Sequence, residues 1–207
     1  RIPGRLEKEF FPKDEEGSVR TVGAIWHLPL HRGSWTIQAR INKYVNDVAE
    51  QLEADGYFYS RKGRWSVNQK KVEAMAVWRD VSEGQAIGVG RIRKLYEAVP
   101  KMGMYAAVAK DTHPMDVIKM SEEEKIYIRA IERRGENIYQ EPRIKISTIH
   151  AMKGGEDDNV AVYLGSTKNC VEGKHPEDEH RVFYVAITRA KQNLYLIESD
   201  KSYRYEI

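Results

Sequence analysis

Six residues between positions 148 and 156 carry chemistry: Thr148, His150, Lys153, Gly154, Gly155 and Glu156. Together they offer a hydroxyl, an imidazole, an ammonium, a carboxylate and two adjacent glycines. Hydroxyl and backbone N–H groups suit phosphate oxygens. Glycines let the backbone approach a ligand closely. Arg40, followed by Asn42, and Arg189, in Thr188-Arg189-Ala190, add permanent positive charge. A guanidinium is a fixed fork of donors that matches phosphate geometry. The chemistry in view is therefore phosphate binding and charge stabilisation during phosphoryl transfer. Taken singly, each residue has a plainer use. A histidine is more often a surface group, a Gly-Gly pair a turn, and an arginine at a helix end a favourably placed charge.

The elements that must position these groups follow from periodicity. Residues 35–39 read as a strand. Residues 42–55 carry Val45, Val48, Ala49 and Leu52 at helical spacing, and Gly56 ends the run. Residues 57–60 read as a second strand, so 35–60 opens a parallel α/β sheet. The middle is helical: 68–82, 91–99, and 121–135, where Ser121 and Glu124 have capping-box spacing. Strands return at 143–148 and 160–164. Pro176 suits the first turn of a helix, and Glu177, Asp178 and Glu179 suit its positive end. A last strand is expected at 193–198. The chain divides accordingly into 1–65, a helical insert at 66–141, and 142–207. Ligands in open α/β sheets gather at the C-terminal ends of strands. That rule collects Arg40 and the 148–156 cluster. It does not collect Arg189, which precedes a strand.

Three stretches resemble superfamily 1 helicases of the UvrD/Rep type. "ISTIHAMKGGEDDNVAVYLG" resembles T-h-H-x-x-K-G-L-E-F-x-x-V, and "EDEHRVFYVAITRAKQNLYLI" resembles E-x-x-R-L-x-Y-V-A-x-T-R-A-x-x-x-L. "WTIQARINKYVNDVAEQLEADGYFYSRKG" is similar to the family's strand ending in Arg-x-Asn before a helix. The resemblance implies a RecA-like three-layer α/β domain with a mainly parallel sheet, its helical insert at the accessory-domain position. It implies that Arg40 and Arg189 reach the γ-phosphate of ATP and that Glu156 binds the ribose. It implies that Thr148 and His150, with Lys153 and Gly154 in the same loop, meet single-stranded DNA, and that Arg181 and Tyr184 match family positions. Gly155 stands where most members have Leu, and Asp157 where most have Phe. The loop is expected to be more mobile and more acidic for it, as in compact phage-type relatives.

A net charge of +3 over 207 residues is too weak to indicate nucleic-acid binding by composition alone. The single cysteine, Cys170, fits a reducing, cytoplasmic setting. No apolar run approaches the roughly 20 residues that span a bilayer. A G-x-x-x-x-G-K-[ST] phosphate cradle is absent from the sequence. The acidic pieces at 14–17 and 178–180 do not follow apolar strands, and His175 and His180 complete no metal-ligand pattern. The chain opens on Arg1. ATP with Mg²⁺ is therefore expected to be held mainly by an N-terminal RecA-like domain of a longer polypeptide, with 3′ to 5′ translocation and no activity from this chain alone. The alternative is a non-enzymatic nucleic-acid- or partner-binding module on a helicase-derived fold.

Overall fold

The computed structural model describes residues 16–99, 112–152, 155–173 and 176–206. Lys153, Gly154 and His175, with 14 and 15 of the first acidic piece, lie outside the described residues. The strands are β1 (Ser18–Val22), β2 (Trp35–Ala39), β3 (Tyr59–Arg61), β4 (Arg64–Trp65), β5 (Ile144–Thr148), β6 (Asp157–Tyr163) and β7 (Ala190–Ile197). They form one sheet in the order β1-β7-β6-β2-β5-β3-β4. All pairings are parallel except β3 with β4. β2 is central, flanked by β6 and β5.

Helix α1 (Asn42–Ala54) covers one face. Its Tyr44, Val45, Val48 and Leu52 pack on Trp35, Ile37 and Ala39 of β2 and on Ile144 and Ile146 of β5. Leu52 is fully buried, and its removal from water contributes about 1.5–3 kcal/mol. Gly56 ends α1 at φ +71, and a Cβ there would stand 2.8 Å from Cβ of Ala130 in the insert. Only glycine fits both the backbone and the contact.

The opposite face is covered by Pro176–Ile187 and by the 3-10 turn Ile149–Met152. Phe183 and Ala186 pack there with Ile149, Val160, Val162 and Leu196. Every second residue of β6 thus faces each layer, as expected of a strand covered on both sides.

The middle of the chain builds its own core. Helices α2 (Gln69–Ser82), α3 (Val89–Ala98), α4 (Pro114–Val117) and α5 (Glu122–Arg133) bury Met75, Trp78, Leu95, Met115 and Ile131, with Phe58 entering from the sheet side. Asn68 caps α2 through the backbone N–H of Lys70 and Lys71. Ser121 and Glu124 form the capping box that the spacing predicts. Lys71 Nζ donates to Glu124 Oε2 at 2.6 Å, tying α2 to the start of α5. A short helix, α6 (Lys168–Val171), precedes α7 (Pro176–Ile187). Among the described residues no helix is long and apolar enough to cross a membrane.

Two strands begin three residues earlier than their apolar runs suggest. β6 starts at Asp157 with a bulge before Asn159, and β7 starts at Ala190. The early pairing is held by polar side chains. Ser18 Oγ donates to Asn193 Oδ1 at 2.7 Å, Asn193 Nδ2 donates to Asn159 Oδ1 at 2.9 Å, and Asn159 Nδ2 donates to the Ser34 carbonyl at 2.9 Å. This ladder crosses four strand starts, and a search for apolar runs passes over it.

Candidate functional site

The polar residues divide between the two edges of the sheet. At the edge where strands begin, Glu156 and Arg189 are neighbours. The Asp157 N–H donates to the Arg189 carbonyl at 3.1 Å, and Asp157 pairs with Ala190 in the parallel ladder. Glu156 is exposed, and among the described residues its carboxylate has no hydrogen-bond or ion-pair partner. Arg189 is half-buried and its Nε donates to the Val185 carbonyl at 3.0 Å. That bond satisfies one of the orphan carbonyls at the C-terminus of α7 and suits the negative end of the helix.

Asp157 anchors this edge. It is 7% exposed. Its Oδ1 accepts from Ser34 Oγ and from the Asp158 N–H (3.0 Å), and its Oδ2 accepts from Thr36 Oγ1 at 3.1 Å. The aspartate that stands where most family members have Phe is itself held in place. A carboxylate with three donors is fixed, and it pins the start of β6 to β2.

At the edge where strands end, Ala39 pairs with Thr148, so Arg40 and Ile149 follow side by side. Thr148 is half-buried and His150 exposed. Arg40 is not free. Its Nε donates to both oxygens of Glu179 in α7, at 3.0 Å to Oε1 and 2.8 Å to Oε2. Glu179 is 5% exposed and also accepts from Ser166 Oγ at 2.7 Å. Tyr44 OH donates to the Ser166 carbonyl at 2.9 Å. Burial raises the Tyr44 hydroxyl above its ordinary value, which keeps that proton in place.

The structure does not bring Arg40 and Arg189 together. Glu179, which holds Arg40, lies ten positions before Arg189, about 15 Å along a helix axis at ~1.5 Å per residue. Within this chain Arg40 and Arg189 thus stand at opposite edges of the sheet. Glu156 with Arg189 makes one group; Arg40, Thr148 and His150 share the other edge. Arg181 pairs with Asp178 at 3.0 Å, and Tyr184 is 56% exposed. His180 Nδ1 contacts Tyr205 OH at 2.8 Å. Among the described residues no three His, Cys, Asp or Glu side chains cluster to hold a metal ion.

Between the edges lies a group that motif spacing does not mark. Thr36, Gln38 and Arg40 alternate along β2, opposite in parity to Trp35, Ile37 and Ala39, which join the α1 core. Thr36 bonds Asp157 and Arg40 bonds Glu179. Gln38 is 1% exposed, and among the described residues neither Oε1 nor Nε2 has a hydrogen-bond partner. The alternation is visible in the sequence as T-x-Q-x-R over 36–40.

A central parallel strand, helices on both faces and an independently packed helical insert define an α/β domain of the RecA-like kind. The model of the UvrD-like helicase C-terminal domain matches residues 33–201, and the chain belongs to that family. No curated protein matches the chain.

Proposed function

We propose that the chain is the second motor domain of an ATP-dependent helicase or translocase on single-stranded DNA, paired with a nucleotide-binding domain of the same polypeptide. One observation carries the reading: the Asp157–Arg189 backbone bond sets Glu156 beside Arg189 at a single sheet edge. A carboxylate that accepts from ribose hydroxyls and a guanidinium that binds phosphate are the two groups needed on the outer side of a nucleotide. They fit the outer side only, since the sequence holds no phosphate cradle. When bound, ATP with Mg²⁺ supplies the phosphoryl group transferred to water.

Arg189 has its Nε on Val185, so its Nη groups are the ones offered to phosphate oxygens. Such a contact differs before and after hydrolysis, and that difference drives opening and closing against the partner domain. Thr148 and His150 face the DNA backbone at the other edge, and Lys153 and Gly154, the next polar positions in sequence, are assigned to the same contact. Backbone contacts of this kind are indifferent to sequence. Arg40 supplies charge at the same edge.

The test is Arg189→Ala in the complete polypeptide. ATP turnover should fall about 10³–10⁵-fold, the range for arginine fingers, with the circular dichroism spectrum unchanged. Turnover within tenfold of the parent in a folded variant sinks the reading. A non-enzymatic binding module is the second reading, favoured by the use of both arginine Nε groups inside the chain. Under it, the parent polypeptide shows no DNA-stimulated ATPase at all.

A further inference from the structure

We infer that Glu179 is a positioning residue: it holds Arg40 by Nε and presents both Nη groups to a phosphate oxygen. The inference rests on the motor-domain reading above.

The bond pattern is the first reason. A guanidinium has five N–H donors. A structural arginine–carboxylate pair commonly uses two nitrogens in parallel, fork to fork. Here a single nitrogen, Nε, serves both carboxylate oxygens. Among the described residues, neither Nη of Arg40 has a hydrogen-bond partner. The pairing therefore fixes the guanidinium while leaving free the four donors best suited to a phosphate.

The second reason is how firmly Glu179 is itself held. Its Oε1 also accepts from Ser166 Oγ. Ser166 is fixed in turn from two directions: Tyr44 OH of α1 donates to its carbonyl, and its own N–H donates to the Tyr203 carbonyl at 2.9 Å. The turn that presents Ser166 depends on Gly165, where a Cβ would stand 2.3 Å from Tyr163 Cε1. Two separate segments, Arg40 after β2 and Ser166 before α6, converge on one carboxylate, and Ser166 is itself held from two more. A salt bridge that served only packing between β2 and α7 would not require this support.

The third reason is placement. Arg40 follows the central strand at the edge it shares with Thr148, and its side chain is 19% exposed. It is therefore within reach of a ligand but cannot sample many orientations. The phosphate is that of a nucleotide or that of a DNA backbone, and the recognition chemistry is the same for both.

The experiment compares Glu179→Gln, Arg40→Ala and the double variant in the complete polypeptide. ATP turnover is measured with oligothymidylate present, and oligothymidylate binding is measured across a salt series. Glu179→Gln keeps the fold but loses the charge that orients Arg40, so function should drop about tenfold to a hundredfold. In the Arg40→Ala background the same change should add nothing. If the phosphate belongs to the nucleotide, turnover and the ATP KM change and the salt slope of DNA binding does not. If it belongs to DNA, affinity falls and the slope shrinks by about 0.7, one single-strand phosphate. Wild-type behaviour of Glu179→Gln on both arms overturns the inference. So does a full loss that persists without Arg40. Ser166→Ala is the second variant, should Glu179→Gln unfold: a smaller loss that vanishes in the Arg40→Ala background supports the inference, and an unchanged protein counts against it. Arg189→Ala separates the two levels. If it stops turnover while Glu179→Gln does nothing, the positioning role fails and the motor reading stands.

Discussion

Gln38→Met should make this domain more stable. Gln38 sits on the central strand, 1% exposed, with both amide atoms lacking partners among the described residues. Its cross-strand neighbours are Ser147 and Val162. Ser147 Oγ is already donated to the Thr148 carbonyl at 3.1 Å, and valine offers nothing polar. A buried polar group without a partner costs about 1–3 kcal/mol. Methionine has similar length and flexibility, fills the same space and removes that cost. The expected gain is about 1–3 kcal/mol, or about 2–12 °C in Tm for a domain of this size. Thermal and urea unfolding of the parent and the variant measure it, with an unchanged urea m-value showing that the denatured state is not the source. Gln38→Glu is the opposite perturbation and should destabilise strongly, because it places an unpaired charge in the same site. A Gln38→Met protein that melts lower than the parent refutes the reasoning. It would mean that the amide has a partner in solution, such as an ordered water.

Two further outcomes follow from the polar network. Asp157→Ala strands the hydroxyls of Ser34 and Thr36 and frees the first pairing of β6, so it should cost about 2–3 kcal/mol in urea unfolding; a neutral Asp157→Ala would show that the carboxylate does not anchor this edge. Glu124 is held below its ordinary value of 4.5 chiefly by the Lys71 hydrogen bond, with burial opposing and the Ser121 backbone N–H assisting. A lowered carboxylate value means its stabilisation is present above the unfolded value and lost as pH falls through the folded one. Glu124→Gln should therefore lower stability at pH 7, by under about 1 kcal/mol since the pair is partly exposed, and the gap to the parent should close as pH falls through the lowered Glu124 value. A gap that stays constant from pH 7 to pH 3 contradicts the assignment.

The layers of the fold were legible because their signals are periodic. Val45, Val48 and Leu52 could bury together only as a helix, and Val160, Ala161 and Val162 only as a strand covered on both faces. The capping box at Ser121 was equally readable, since its partners are three residues apart. The strand starts were not. Ser18, Asn193, Asn159 and Ser34 bond across 175, 34 and 125 positions of sequence, and no local pattern announces such a ladder. The same limit applies to the site. Glu156 and Arg189 were named from motifs, but the bond that sets them side by side runs through Asp157, which sequence marked only as a departure. Glu179 read as one of three acids at a positive helix end. Its pairing with Arg40, 139 positions away, is a tertiary fact. The rule that ligands gather at the ends of strands found Arg40 and missed Arg189, because α7 carries the chain back to the opposite edge.

Both edges are wired to one strand, and this limits how they can communicate. β2 meets the edge where strands begin through Thr36 and Asp157, and the edge where strands end through Arg40 and Glu179. α7 runs antiparallel beside it, carrying Glu179 near its start and leading into Arg189 at its end. A force on Arg189 therefore has two short paths: along α7 to Glu179, and through the Asp157 backbone into β2. Both arrive at Arg40. The unpartnered amide of Gln38 lies midway. It penalises the present arrangement by an amount comparable to a typical coupling free energy of about 1–3 kcal/mol. Any arrangement that gave Gln38 a partner would recover that cost, which is the same cost that Gln38→Met removes by taking away the polar group.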